Sequence, residues 1–221
     1  MRAMALGFMV LGIVPAVEAQ LLVNHPPQTP IPTGGGGADS EYLFNGHPFS
    51  TFSADDFQVG APTAVGKVVW WGCYDGDNPP TPESMRIRVY SDLAGLPGAP
   101  SGDVTLLNPT RQWTGRIVSF GVGPREYRFE ATLDAPISLP AAGRYWLEVS
   151  QVGSLESTFI WQYSLTDFTS FAFMTPGSAV WRLSVAAVDL AFQLYVPEPG
   201  SAALVLLALG AMRRRTTQAA P

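Results

Sequence analysis

The sequence predicts an all-β fold, a two-sheet antiparallel sandwich that is jelly-roll-like, with an N-terminal signal helix and a short C-terminal apolar helix at its ends. Three observations predict it. Runs of strand composition recur roughly every dozen residues between 41 and 195, separated by Gly, Pro, Asn and Asp. Within them side chains alternate with period two: Met85, Ile87 and Val89 share one face and Arg86, Arg88 and Tyr90 the other, as in an antiparallel sheet with one wet side. Finally, 22 Gly, 20 Pro and 14% charged residues leave little helix-forming material, and between the termini no long stretch carries apolar residues at helical spacing.

From the N-terminus, Arg2 precedes an apolar run from Ala3 to Val14, and Val17 and Ala19 occupy the small-residue positions of a secretory cleavage site. Residues 1–19 therefore read as a signal peptide cut after Ala19, with the Sec export machinery as the implied partner. Residues 20–40 read as a leader, stiffened by prolines between Pro26 and Pro32 and loosened by Gly34 to Gly37. The sandwich domain is expected over 41–195. Its strands are expected at Phe52–Val59, Ala64–Tyr74, Ser84–Ser91, Asp103–Asn108, Gly115–Val122, Glu126–Leu133, Gly143–Val152, Ser157–Ser164, Phe171–Met174 and Val188–Val196. In the last of these, Leu190, Phe192 and Leu194 share a face.

With both ends removed, the body keeps nine basic and sixteen acidic residues, about −7, and a single lysine, Lys67. No basic stripe interleaved with aromatics is present, so nucleic acid is excluded as the expected partner. Cys73 is the only cysteine; in an oxidising compartment it has no internal disulfide partner, and it reads as a buried, inert thiol. The two histidines, His25 in the leader and His47 in a loop, accompany no G-x-S-x-G turn and no H-E-x-x-H pair, so triad and zinc-protease chemistry find no footing.

Carboxylates and aromatics supply the site candidates. "YDGDNPP" sets Asp75, Asp77 and Asn78 on a tight turn, where alternate hard oxygens could take calcium, against plain turn formation as the ordinary explanation. Asp55 and Asp56 are neighbours on a strand and point to opposite faces. Asp55, expected to face inward, is a second calcium candidate because a buried carboxylate needs hydrogen bonds or a cation. Trp70 and Trp71 are also neighbours, so if one enters the core the other leaves it and needs cover; Tyr145 and Trp146 pose the same problem. Trp70, Trp71 and Trp146 are accordingly the candidate platforms for stacking a sugar ring, against core packing as the ordinary explanation. Phe159, Trp161 and Tyr163 form a stripe expected to be core.

The C-terminal segment 196–221 is of a different kind. Pro197 and Pro199 cannot donate ladder hydrogen bonds and end the last strand. The apolar run from Ala202 to Met212 has 11 residues, whereas a bilayer crossing needs about 20. Arg213, Arg214 and Arg215 then hold to the cytoplasmic side, so an exported chain is arrested transiently in the inner membrane with its body outside. Val196-Pro197-Glu198-Pro199, the short apolar run and the arginine cluster together resemble the PEP-CTERM sorting signal of Gram-negative bacteria. That resemblance implies an exosortase-type membrane protease that cuts the tail and passes the body to the cell surface or extracellular matrix. It covers about the last 25 residues. The chain departs from the pattern in that six residues, Thr216 to Pro221, trail the arginines. More loosely, "SADDFQV", "VVWWGCY", "IRVYSDLAGLPGAP" and "AFQLY" resemble the small β-sandwich domains found in front of such tails.

Two functions follow as expectations. One is a non-enzymatic surface or matrix protein associated with exopolysaccharide, with calcium as its only candidate ion. The other is a glycan-active lyase or hydrolase on a jelly-roll, which should gather residues such as Asp55, Glu148, Arg144 and Arg88 around a groove.

Overall fold

The computed structural model describes residues 19–28, 37–42, 51–118, 123–153, 157–166, 169–175, 178 and 180–197. In chain order the strands are β1 (Leu21–His25), β2 (Gly37–Asp39), β3 (Glu41–Tyr42), β4 (Phe52–Val59), β5 (Thr63–Tyr74), β6 (Ser84–Leu93), β7 (Leu96–Leu107) and β8 (Thr110–Ile117). They continue as β9 (Arg125–Leu139), β10 (Gly143–Val152), β11 (Phe159–Ser164), β12 (Ala172–Met174), β13 (Arg182–Leu183), β14 (Asp189–Leu190) and β15 (Phe192–Tyr195), and one 3₁₀ turn spans Asp75–Asp77. The fold is all-β, as the alternation predicts. Both expected terminal helices lie outside the described residues.

The strands form two sheets, antiparallel apart from the short β3–β10 pair. The first runs β1-β15-β5-β11-β14, with β9 on β5, β8 on β9 and β2 on β11; the second runs β13-β12-β4-β10-β6-β7, with β3 on β10. Period two decides what lies between them. Met85, Ile87 and Val89 of β6, Leu147 and Val149 of β10 and Phe57 of β4 meet Trp70, Phe129, Phe159 and Phe192 of the first sheet in one continuous core. Burying each such side chain contributes roughly 1.5–3 kcal/mol. Trp70 lies parallel to Phe129, 5.3 Å between centroids. The expected stripe of Phe159, Trp161 and Tyr163 belongs to the same core.

Several expected boundaries shift, each for a physical reason. β7 begins at Leu96 rather than Asp103, because Ala94 and Gly95, both at positive φ, make a tight hairpin turn that returns the chain at once along β6. Pro97 and Pro100 hid that half of the strand, and they fit because β7 ends the second sheet's order, where a missing N–H costs no interior ladder bond. Gly102 sits where β7 comes against β9: a Cβ there would meet Ile137 Cγ2 at 2.5 Å. The expected strand Val188–Val196 divides at Ala191, which hands the chain from β11 to β5. Its N–H donates to Gln162 O, while its carbonyl accepts from Trp71 N and from Trp161 Nε1 at 2.8 Å. Leu190, Phe192 and Leu194 nevertheless all reach the core.

The leader is a correction. Residues 21–25 pair with β15, Leu21 opposite Tyr195 and His25 opposite Phe192, and Val23 and His25 are buried. Further on, β2 pairs with β11, and the buried Ser40 Oγ donates to Val149 O. The reading from Pro and Gly content missed the alternation in "LLVNH", where Val23 and His25 fall on one face. Residues 29–36, with most of the Pro/Gly stretch, and 43–50, with His47, lie outside the described residues.

Candidate functional site

The outer face of the second sheet carries a polar network built on β6, β7 and β10. On β10 and β6, Glu148 stands opposite Arg88 and Trp146 opposite Tyr90. β7 brings Asp103 opposite Arg88, and β4 brings Ala54 opposite Glu148. Parity makes all of these point away from the core, yet Glu148 is fully buried. The small Ala54 and Ala172 leave room beside it, and Tyr90, Trp146 and Trp181 pack into one apolar cluster with them. The Trp181 ring meets Tyr90 edge-on at 5.6 Å.

Every acceptor on Glu148 is used. Tyr90 Oη donates to Oε2, Ser150 Oγ donates to Oε1 at 2.9 Å, and Arg88 donates to Tyr90 Oη at 2.8 Å while lying 3.6 Å from the carboxylate. Desolvation raises the Glu148 pKa, and Tyr90 and Arg88 oppose it. The Tyr90 phenol is pushed up first by desolvation and then by Glu148, so it stays a donor. Arg86 and Arg88 both reach Asp103, and the hydrogen bond from Arg86 is the main force holding that carboxyl below the usual range. These groups are spent on one another, which stiffens the face and leaves no free acid beside a free base.

Asp55, Glu148, Arg144 and Arg88 are not brought together around one groove. Asp55 lies opposite Leu147 on β10, one residue out of phase with Glu148, so the two carboxylates stand on opposite faces of one sheet. Arg144 pairs with Asp56 at 3.3 Å instead. Asp55 faces inward as expected. Its Oδ2 accepts from Leu190 N at 2.8 Å and lies 3.4 Å from His25 Nδ1, while Oδ1 is buried without a hydrogen bond. Desolvation pushes its pKa up to about 7 against the lowering effect of His25. Nearby, Thr169 links Asp56 and Asp189 through its hydroxyl.

The calcium turn also finds protein partners. Asp77 Oδ1 accepts from Arg125 N at 3.2 Å and Tyr127 Oη at 3.3 Å, and Oδ2 pairs with Arg125 Nε at 3.3 Å. Asp75 and Asn78 are exposed. Among the described residues, no three His, Cys, Asp or Glu side chains come together to hold an ion. Cys73 is buried, and desolvation pushes its thiol up to about 12.

All three tryptophans expected as sugar platforms are corrected. Trp70 is in the core. Trp146 is on the outer face but covered, with its Nε1 donating to Asp92 Oδ1 at 2.9 Å. Trp71 leaves the core as parity requires, and is covered in a small cluster with Val69 and Ala191. Trp113 on β8, which the sequence reading passed over, is the exposed one at 52%. A signal for it existed: Arg111, Arg116 and Arg125 crowd around one tryptophan in an otherwise acidic body.

Of the processing residues, Ala19 lies two residues before β1, and Val196 and Pro197 follow β15, with Val196 N donating to Gln20 O at 3.0 Å. Glu198, Pro199, Arg213, Arg214 and Arg215 lie outside the described residues. Comparison with curated proteins finds no match. A family model described as a domain of unknown function, DUF7901, matches residues 24–197, from the middle of β1 to just beyond β15. The chain belongs to that family.

Proposed function

We propose that this chain is an exported, non-enzymatic module of the cell surface or extracellular matrix of a Gram-negative bacterium. In this reading a jelly-roll-like body is cargo, and residues 196–221 are a PEP-CTERM signal that an exosortase removes after transient arrest in the inner membrane. The observation that carries it is where the tail begins. β15 is paired on both sides, with β1 and with β5, and ends at Tyr195, just ahead of Val196-Pro197-Glu198-Pro199. The sequence that follows, an apolar run and three arginines, is what this reading assigns to sorting.

Association with extracellular polysaccharide belongs to this reading. A glycoside hydrolase of the usual kind would need two carboxylates flanking one bond, whereas Asp55 and Glu148 diverge. In a producing strain, deletion of Ala202–Pro221 is expected to move the protein from the surface fraction to the soluble exported fraction. Unchanged surface association of the deletion variant would remove the sorting role.

A further inference from the structure

We propose that Gln20 is a modification site: as the first residue left by the cut after Ala19, it closes on itself to a pyroglutamyl lactam, and the mature chain begins with a blocked, uncharged end. This rests on the exported reading above and on that cut, and adds what the new N-terminus becomes.

The chemistry needs a glutamine with a free α-amine and room to fold back. Of Ala19, Gln20, Leu21, Leu22 and Val23, only Gln20 carries a carboxamide, so a lactam in this stretch marks the cut after Ala19 and no other. Once Gln20 is first, its α-nitrogen attacks its own Cδ. An N–Cδ bond forms, the Cδ–Nε2 bond breaks, and Nε2 takes up one amine proton and leaves as ammonia. No oxidant, reductant or co-reactant is consumed. The ring that closes is small, and the side chain itself holds the reacting atoms together. Gln20 is exposed and lies just ahead of β1, which leaves it open to solvent and to a cyclising enzyme.

The fold accepts the lactam and has a use for it. Gln20 is tied to the body by its carbonyl, which accepts from Val196 N at 3.0 Å, and cyclisation leaves that carbonyl as it was. The donor is fixed in turn, because Pro197 packs on Gly66 of β5, where a Cβ would come 2.6 Å from Pro197 Cα. β1 heads the order of the first sheet, with β15 as its partner. A free amine one residue ahead of an edge strand is where an aminopeptidase starts. Taking Gln20 strips the acceptor from Val196 N–H, and trimming on through Val23 and His25 removes side chains that are buried. The His25 ring lies 4.7 Å from that of Phe192, and its Nδ1 lies 3.4 Å from Asp55 Oδ2, so its loss opens the core at β15 and leaves a buried carboxyl with one partner fewer. The lactam offers no primary amine and stops the trimming at its first step.

The test is the mass of the N-terminal peptide of the mature protein, recovered from the surface of its native host and quenched in acid at once. The peptide is expected to begin at residue 20, to be lighter than the unmodified peptide by the mass of one ammonia, and to resist Edman degradation until a pyroglutamyl peptidase is added. Gln20→Ala keeps the backbone carbonyl, so it should match wild type in its urea midpoint. It should nevertheless carry a free amine and be trimmed by an added broad-specificity aminopeptidase that leaves wild type intact. A peptide that begins at residue 20 with a free amine would overturn the modification and leave the cut and the export standing. One that begins elsewhere would overturn the cut and this site together, with sorting by the tail untouched. A blocked fraction that is absent at quenching and grows with handling time would make the lactam a product of the tube, and equal trimming of wild type and Gln20→Ala would remove its protective role; either overturns the proposal.

Discussion

Trp70→Ala is expected to destabilise the domain by about 3–5 kcal/mol, the range for removing a large aromatic from a packed core. Trp70 is fully buried, stacked on Phe129 and part of the continuous core between the sheets. Few neighbours can collapse into the space, because Phe129 is itself held by Tyr74 and Phe159. A loss of that size is a large part of the roughly 5–15 kcal/mol that keeps a domain folded. Its neighbour supplies the control. Trp71 leans on Val69 and Ala191 on the other face, so Trp71→Ala should cost clearly less. Trp70→Phe should cost less than Trp70→Ala, since the ring stack survives and the lost indole N–H finds no acceptor, although part of the cavity remains. Urea unfolding midpoints of the three variants check the order. Equal losses for Trp70→Ala and Trp71→Ala would contradict the assignment of faces.

The second large effect is a reversal of stability with pH at Asp55. The folded state holds this carboxyl's pKa at about 7, above the ordinary range, chiefly because burial disfavours its charge. A raised carboxyl contributes stability that is full below its unfolded pKa of about 4 and is lost as pH rises through about 7. The facing groups are His25 on β1, which lowers the pKa, and Asp189 on β14, which raises it. Asp55→Asn keeps an acceptor for the Leu190 N–H and removes the buried charge. It is therefore expected to be more stable than wild type at pH 8, on the order of 3 kcal/mol, and close to it at pH 4. Unfolding midpoints at the two pH values decide the matter. An Asn variant weaker at pH 8 would mean that the Asp55–His25 pair is net stabilising as an ion pair.

Local pattern carried the fold class because a strand's two faces are written in its own residues. Phe52–Val59 and Gly143–Val152 are strands at the expected boundaries, and Met85, Ile87 and Val89 are buried as their alternation predicts. Alternation assigns side chains to a face, but it does not say what covers the other face. Trp146 points outward and is still buried, because Trp181 and the small Ala54 and Ala172 come from segments distant in sequence. Glu148 is buried for the same reason, and its partners Tyr90 and Arg88 are set by the register of β6 on β10. Composition misled at the N-terminus, where prolines and glycines outweighed a five-residue strand that only β15 reveals. Pro97 and Pro100 concealed half of β7 because edge position, which makes them tolerable, is a property of the sheet and not of the segment. Trp113 was legible in hindsight through its arginines, but its exposure follows from β8 having β9 as its strand partner among the described residues.

Removal of the tail from an exported sandwich is the central step proposed above. Its most direct test is the intact mass of the mature protein recovered from the surface of its native host. The mass is expected to correspond to a chain that starts at Gln20 and ends before Arg213. A mature surface protein that still carries Arg213, Arg214 and Arg215 would contradict it.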